Sequence, residues 1–230
     1  MRIGGLQKFS LLDYPEKIAA VVFTLGCNFR CPFCHNPTLV MGEDAAQNVS
    51  EEAFFTFLAK RLGRLDGVCV TGGEPLLQKD CTDFLRRIKR LGFLVKLDTN
   101  GSFPEKLEAI LDEHLVDYVA MDIKNSPEKY AETAGVFDTP LNNIKKSANL
   151  LLKSSISYEF RTTLVREFHT PNDLRQIGGW LSGGQKYCLQ NFRDSERLAN
   201  DLPLHSFPEE EIREMGRIAE EFFPVVEVRI

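Results

Sequence analysis

Three cysteines, Cys27, Cys31 and Cys34, fall within the stretch GCNFRCPFCHNP with the spacing C-x3-C-x2-C. Thiolates are soft ligands that suit zinc and iron–sulfur clusters. Gly26 and Pro32 make the segment a loop rather than a helix, so its sulfurs can wrap around one centre. Structural zinc sites and iron–sulfur clusters usually take four protein ligands, and this run stops at three. Zinc would call on His35 as the fourth ligand. Paired zinc ligands sit about two to four residues apart, however, and His35 directly follows Cys34. A cubane cluster held by three thiolates instead keeps one iron without a protein ligand. An open metal position is a reaction site, by the same logic as the open position of catalytic zinc.

The other candidate residues cluster at the ends of short apolar or β-branched runs. The runs are residues 18–24, 67–72, 93–99, 117–123, 157–163 and 186–192. Most are apolar almost throughout, as expected of strands covered on both faces. The first leads into the cysteines. The second ends in Thr71-Gly72-Gly73-Glu74-Pro75, the third in Asp98-Thr99-Asn100-Gly101, and the fourth in Asp122-Ile123-Lys124. Arg161 lies in the fifth and Gln190 in the sixth.

Helix signals separate these runs. Ser50 precedes Phe54, Phe57, Leu58 and Leu62 at helical spacing. Ser102-Phe-Pro-Glu105 has the capping-box pattern. Ser126-Pro127, Thr139-Pro140 and Thr170-Pro171 each place a capping hydroxyl before a proline suited to a first helical turn. Ser206-Phe-Pro-Glu209 opens a helix with Ile212, Met215, Ile218 and Phe222 on one face, and a terminal VVEVRI reads as a strand. Alternating strands and helices predict parallel pairing with right-handed crossovers. A partial (β/α)6 barrel, α/β in class, fits this pattern, with an open doubly wound sheet as the alternative. In either architecture the C-terminal strand ends share one face, where active sites form. The chain reads as one domain over 1–230, with 1–16 as a leading segment and 206–230 completing the fold.

At these residues the chain resembles a known family. CNFRCPFC, with Phe33 before the third cysteine, is similar to the cluster loop of the radical S-adenosylmethionine (SAM) enzymes, and GGEP resembles their second motif. CHNP, LDTNG and MDIK are typical of the activating enzymes of glycyl radical enzymes. Residues 4–37 most resemble the activating proteins of anaerobic ribonucleoside-triphosphate reductase. The resemblance implies a [4Fe–4S] cluster on Cys27, Cys31 and Cys34, with the methionine amino and carboxylate groups of SAM on the open iron. It implies backbone contacts to adenine near Phe33 and His35. Gly72, Gly73 and Glu74 would hold the methionine amino group, and Lys124 its carboxylate, with Arg161 as a second positive contact. Asp98 and Asp122 would bind polar groups of SAM or a monovalent cation, since hard oxygen ligands gather such ions. Asn100 joins them as a further candidate. Where formate-lyase activases carry a histidine near the nucleoside, this chain reads LQNFRD, which puts Gln190 in that position; His205 lies further along.

The chemistry so implied is reductive cleavage of SAM to methionine and a 5′-deoxyadenosyl radical, which takes a hydrogen atom from a glycine of a partner enzyme. No side chain is then needed as acid or base beyond the cluster and SAM. The implied partners are a glycyl radical enzyme, anaerobic ribonucleoside-triphosphate reductase above all, and a flavodoxin or ferredoxin donor. Two rivals stand beside this reading: a radical SAM enzyme for a small molecule, such as a carboxy-deazaguanine synthase, and a non-enzymatic iron–sulfur or zinc module.

The formal net charge of −5 gives no reason to expect nucleic acid. The basic run Arg86–Arg90 falls in a helical pattern and reads as a solvated face. The longest apolar run, IAAVVFTLGC, is far short of the ~20 residues of a membrane helix. The first residues lack the apolar core and cleavage site of a signal peptide. Together these predict a cytoplasmic protein. In a reducing compartment clustered cysteines point to metal rather than disulfides. The scattered Cys69, Cys81 and Cys188 read as small buried hydrophobes.

Overall fold

The computed structural model describes residues 1–41, 49–138, 140–193 and 202–230. Eight strands form one sheet in the order β1 to β8. They are β1 (Ile3–Ser10), β2 (Ala19–Thr24), β3 (Gly67–Gly72), β4 (Leu94–Thr99), β5 (Tyr118–Asp122), β6 (Ser157–Leu164), β7 (Tyr187–Asn191) and β8 (Val226–Arg229). Between them lie helices α1 (Pro37–Met41), α2 (Glu51–Ala59), α3 (Cys81–Arg90), α4 (Pro104–Asp112), α5 (Tyr130–Ala134), α6 (Leu141–Lys153), α7 (Pro171–Leu181) and α8 (Glu209–Glu220). Every strand expected from an apolar run is present, within one or two residues at each end. The leading segment holds a strand not anticipated, β1, which pairs antiparallel with β2. The β2–β3, β3–β4, β6–β7 and β7–β8 pairs are all parallel. The α/β class with parallel pairing is therefore what the chain adopts.

The chain divides into two compact units. The first comprises Met1–Asn28, Thr38–Thr99 and Phe103–Val119; the second comprises Phe29–Pro37, Asn100–Ser102 and Ala120–Ile230. In the first, Ala19–Val22, Val68, Val70, Val95 and Leu97 are fully buried. Phe54 of α2 stacks on Phe84 of α3 at 5.2 Å, closing that core. Burying each such side chain contributes roughly 1.5–3 kcal/mol. In the second unit, Phe160, Tyr187 and Leu189 of the strands and Ile144, Ala148, Leu174, Ile177 and Ile212 of the helices are all buried. The Tyr187 hydroxyl meets Thr162 Oγ1 at 2.7 Å, so the one polar atom on that ring is satisfied.

The capping readings divide. Ser50 caps α2 by accepting from the Ala53 N–H, and Thr170 forms a full capping box with Asp173 at α7. The Ser102 box does not form: the Ser102 hydroxyl donates to Asn100 Oδ1 at 2.6 Å, and α4 starts after Phe103 with no side-chain cap. The Ser126 hydroxyl is likewise taken by Asp173 at 3.2 Å, and α5 starts only at Tyr130. α8 has no side-chain cap from Ser206. Its entry is instead clamped by Asn191, which accepts from the Phe207 N–H and donates to the Phe207 carbonyl. Ser102 is thus held by a turn partner two residues back and Ser126 by a partner 47 residues away, each in place of a helix cap. Thr139 lies outside the described residues. α2 ends before Leu62, which is exposed. The basic run forms the outer face of α3, where Arg86, Arg87 and Lys89 pair with carboxylates. Among the described residues no helix is long and apolar enough to cross a membrane.

Candidate functional site

In the first unit, the chain just before Cys27 is laced to the Gly-Gly-Glu turn by backbone bonds. β2 and β3 end side by side, with Thr24 opposite Gly72. The Gly73 N–H donates to the Thr24 carbonyl at 2.9 Å, and the Glu74 N–H to the Gly26 carbonyl at 2.8 Å. Gly72 has φ +112°, and a Cβ there would come within 2.3 Å of Thr24 N. A Cβ on Gly73 would lie 2.0 Å from the Gly26 carbonyl oxygen. The two glycines are thus required for backbone to approach backbone.

Glu74 is fully buried. Its Oε1 accepts from the Leu76 N–H at 3.0 Å and from Thr99 Oγ1 at 2.9 Å, tying the end of β3 to the end of β4. Asp98 receives Thr71 Oγ1 at 3.0 Å on one oxygen and the Lys96 ammonium on the other. Lys96, which residue type alone did not single out, has a side chain only 3% exposed. Its signal was a lysine inside an apolar strand, two residues before an aspartate and so on the same face.

In the second unit, Cys31 is buried, with its thiol 3.7 Å from the Ala134 carbonyl at the end of α5. The Arg30 N–H donates to the same carbonyl at 3.0 Å. The Cys34 N–H returns to the Cys31 carbonyl at 3.1 Å, so these two cysteines share one turn. Phe33 is buried and tilted against Phe168, 6.0 Å between rings. His35 is exposed and stacks on Phe192 at 5.3 Å. Partial desolvation, and then the Arg193 charge, push its imidazole below the usual range.

Asp122 sits between two cations: Arg161 Nε at 2.7 Å from Oδ1 and Lys124 Nζ at 3.0 Å from Oδ2. Burial alone would raise the Asp122 carboxyl, but Arg161 and Lys124 outweigh it and hold it well below the usual carboxylate range. Burial would likewise lower Lys124, but Asp122, and then the Cys31 sulfur, raise it. His169, which sequence pattern did not flag, is buried, with Nε2 2.9 Å from the Lys124 carbonyl. Its Nδ1 accepts from the Val165 N–H at 3.1 Å, which assigns the proton to Nε2. The ring therefore fixes the backbone that presents Lys124.

Asn100 is buried and accepts from both the N–H and the hydroxyl of Ser102, closing a turn. Gln190 lies in β7, opposite Thr163 of β6 and Arg229 of β8. His205 pairs with Glu167 at the surface.

None of the six cysteines, all among the described residues, is in a disulfide. Among the described residues, no group of three or more His, Cys, Asp or Glu side chains converges as the ligands of a single ion do. A cubane makes a different demand, because each thiolate binds a different iron. Cys27 belongs to the first unit and Cys31 and Cys34 to the second, and thiolates of this kind are the ligands such a cluster takes.

The fold and this cysteine loop together define a radical SAM protein. The model of the Radical SAM superfamily matches residues 21–177, and the chain belongs to that superfamily and is an enzyme of that kind. Membership implies a [4Fe–4S] cluster and SAM. A Methanocaldococcus jannaschii protein named as a glycyl-radical enzyme activating enzyme is 33% identical over 235 residues, covering 99% of this chain and 95% of that protein. The pyruvate formate-lyase-activating enzyme of Listeria monocytogenes is 34% identical over 231 residues, covering 94% of this chain and 86% of that enzyme. Among solved structures, Streptococcus suis SuiB bound to S-adenosylmethionine matches 91% of this chain with a TM-score of 0.73. At 12% identity that likeness is one of fold, and the chain spans 50% of that longer protein.

Proposed function

We propose that the protein activates a glycyl radical enzyme, most specifically an anaerobic ribonucleoside-triphosphate reductase, and that residues 1–230 act as one radical SAM domain in the cytoplasm. The observation that carries this reading is end-to-end similarity to a relative named as a glycyl-radical enzyme activating enzyme. The cysteine loop and the residues 4–37 that resemble reductase activases support it. Cys27, Cys31 and Cys34 hold the cluster. When bound, the cluster and SAM supply one-electron cleavage of the sulfonium and removal of a hydrogen atom from a glycine Cα of the partner.

The chain's own residues then bind and orient. Lys124 and Arg161, both paired with Asp122, present cations to the methionine carboxylate. The Gly72–Gly73 turn, stiffened by Glu74, offers backbone groups to the methionine amino group. Phe33, His35 and Gln190 would face the nucleoside, and Asn100 joins Asp98 and Asp122 toward the polar groups of SAM. Bringing the reacting atoms together and excluding water is the protein's share of the rate. A flavodoxin or ferredoxin supplies the electron.

The test is anaerobic reconstitution with iron and sulfide, followed by reduction with SAM and the reductase. The expected result is a brown protein that cleaves SAM and raises a glycyl radical signal in electron paramagnetic resonance. A colourless protein that binds only zinc would end this reading.

A further inference from the structure

Lys96 lies mid-strand in β4, in register with Cys69 of β3. Its neighbours Val95 and Leu97 are fully buried on the opposite face, and its own side chain is 3% exposed. A charged lysine so enclosed is costly unless an opposite charge meets it. The partner is Asp98 Oδ1, with the Cys69 sulfur 3.8 Å from Nζ as a further contact. Thr71 Oγ1 donates to the other Asp98 oxygen at 3.0 Å. The Asp98 side chain is itself 12% exposed, so the pair is held away from bulk water.

This arrangement does not fit a dissolved monovalent cation at Asp98. Such an ion sheds water where several available oxygens replace its hydration shell, and both Asp98 oxygens are already engaged, by Lys96 and by Thr71. Here the carboxylate is already balanced by a tethered ammonium, and a second cation beside it meets like-charge repulsion in a weakly screened place. Asp122 is in the same condition in its own unit, with both oxygens taken by Lys124 and Arg161.

We propose that Lys96 is the built-in counter-cation of Asp98, standing where a free alkali ion would otherwise bind, and that SAM binding by this protein is independent of dissolved potassium or sodium. Lys96 is thereby a positioning residue: it orients Asp98 and sets the local charge. The inference rests on the reading that Asp98 belongs to the SAM site.

The experiment compares SAM affinity and SAM cleavage of the reconstituted holoenzyme in potassium chloride and in choline chloride. Choline is too large to enter a carboxylate site. The wild type is expected to change by less than about twofold between the salts. Lys96→Met leaves a part-buried carboxylate without that cation. It is expected to bind SAM about tenfold more weakly in choline and to recover most of that loss in potassium. Lys96→Arg keeps a cation and is expected to need no potassium. Recovery by potassium is a readout that a merely structural role for Lys96 would not produce.

A wild type that requires potassium overturns the inference whether or not the methionine variant folds. So does a methionine variant equally weak, or equally strong, in both salts. Potassium-dependent cleavage of SAM by the wild type sinks this inference and spares the proposed function. Failure to bind SAM in either salt sinks both.

Discussion

At the scale of single residues, the six cysteines separate by environment. Cys69, Cys81 and Cys188 are all buried. Burial and the nearby Glu74 push the Cys81 thiol up to about 12, and burial pushes Cys188 up to about 12 against the pull of Arg229. A thiol so raised is protonated at neutral pH and is a poor metal ligand. Alanine at Cys81 or Cys188 is therefore expected to keep full cluster content, measured as iron per chain, and so is alanine at Cys69, which is buried within β3. Loss of iron in any of the three would mean that the ligand set is incomplete. Asp122 makes a second test. Its carboxyl is depressed in the folded chain, so its stabilisation is present above the unfolded value of about 3.9 and is lost as pH falls below it. Asp122→Asn leaves Lys124 and Arg161 without their anion and is expected to cost about 2–3 kcal/mol at pH 7. The gap between variant and wild type should shrink in urea unfolding below about pH 4. A gap constant with pH would show that the charge is not the cause.

At the scale of elements, the β3 turn shows why the two glycines stand together. Gly73 faces the Gly26 carbonyl, and Gly72 faces the Thr24 backbone, with no side chain between. Gly73→Ala sets a Cβ 2.0 Å from that oxygen, and the obstacle is backbone rather than a side chain that can rotate away. The chain that must shift leads directly into Cys27. The variant is expected to fold with its α2 and α3 core intact but to bind less cluster, read by iron content beside circular dichroism. Wild-type iron content in Gly73→Ala would show that the lacing of Gly26 to the turn does not govern the loop. The α7 capping box and the Asn191 clamp on α8 act at the same scale: each fixes where a helix begins through polar groups at its first turn.

At the scale of the whole molecule, similarity to activating enzymes runs through nearly the entire chain, not only through the cysteine loop. The partner is then the quantity to measure. The reduced, reconstituted protein should raise a glycyl radical on an anaerobic ribonucleoside-triphosphate reductase and not on a pyruvate formate-lyase offered in the same tube at equal concentration. A signal on the formate-lyase alone would reassign the partner while leaving the activase reading intact. Vigorous SAM cleavage with no radical on either protein would favour a small-molecule substrate.

Much of this was readable from order and type of residue alone. The strands are legible because apolar runs bounded by turn residues report burial directly, and the strand-end motifs are legible because glycine, aspartate and lysine are out of place there. The Ser126 hydroxyl meets Asp173, 47 residues away, only once the chain has folded, whereas the Ser102 hydroxyl is diverted locally by Asn100 two residues before it. The His169 ring reaches the Lys124 carbonyl across 45 residues, a pairing no local pattern encodes. Lys96 and Asp98 sit two apart in the sequence, yet only the packing of β4 beside β3 buries the lysine and partly encloses the aspartate. The sequence by itself determined the superfamily, the strand order of the motifs and the cluster loop, since these depend on local residue type and spacing. Only the tertiary structure decided which charges are already balanced, because desolvation and pairing depend on what the fold places around each group.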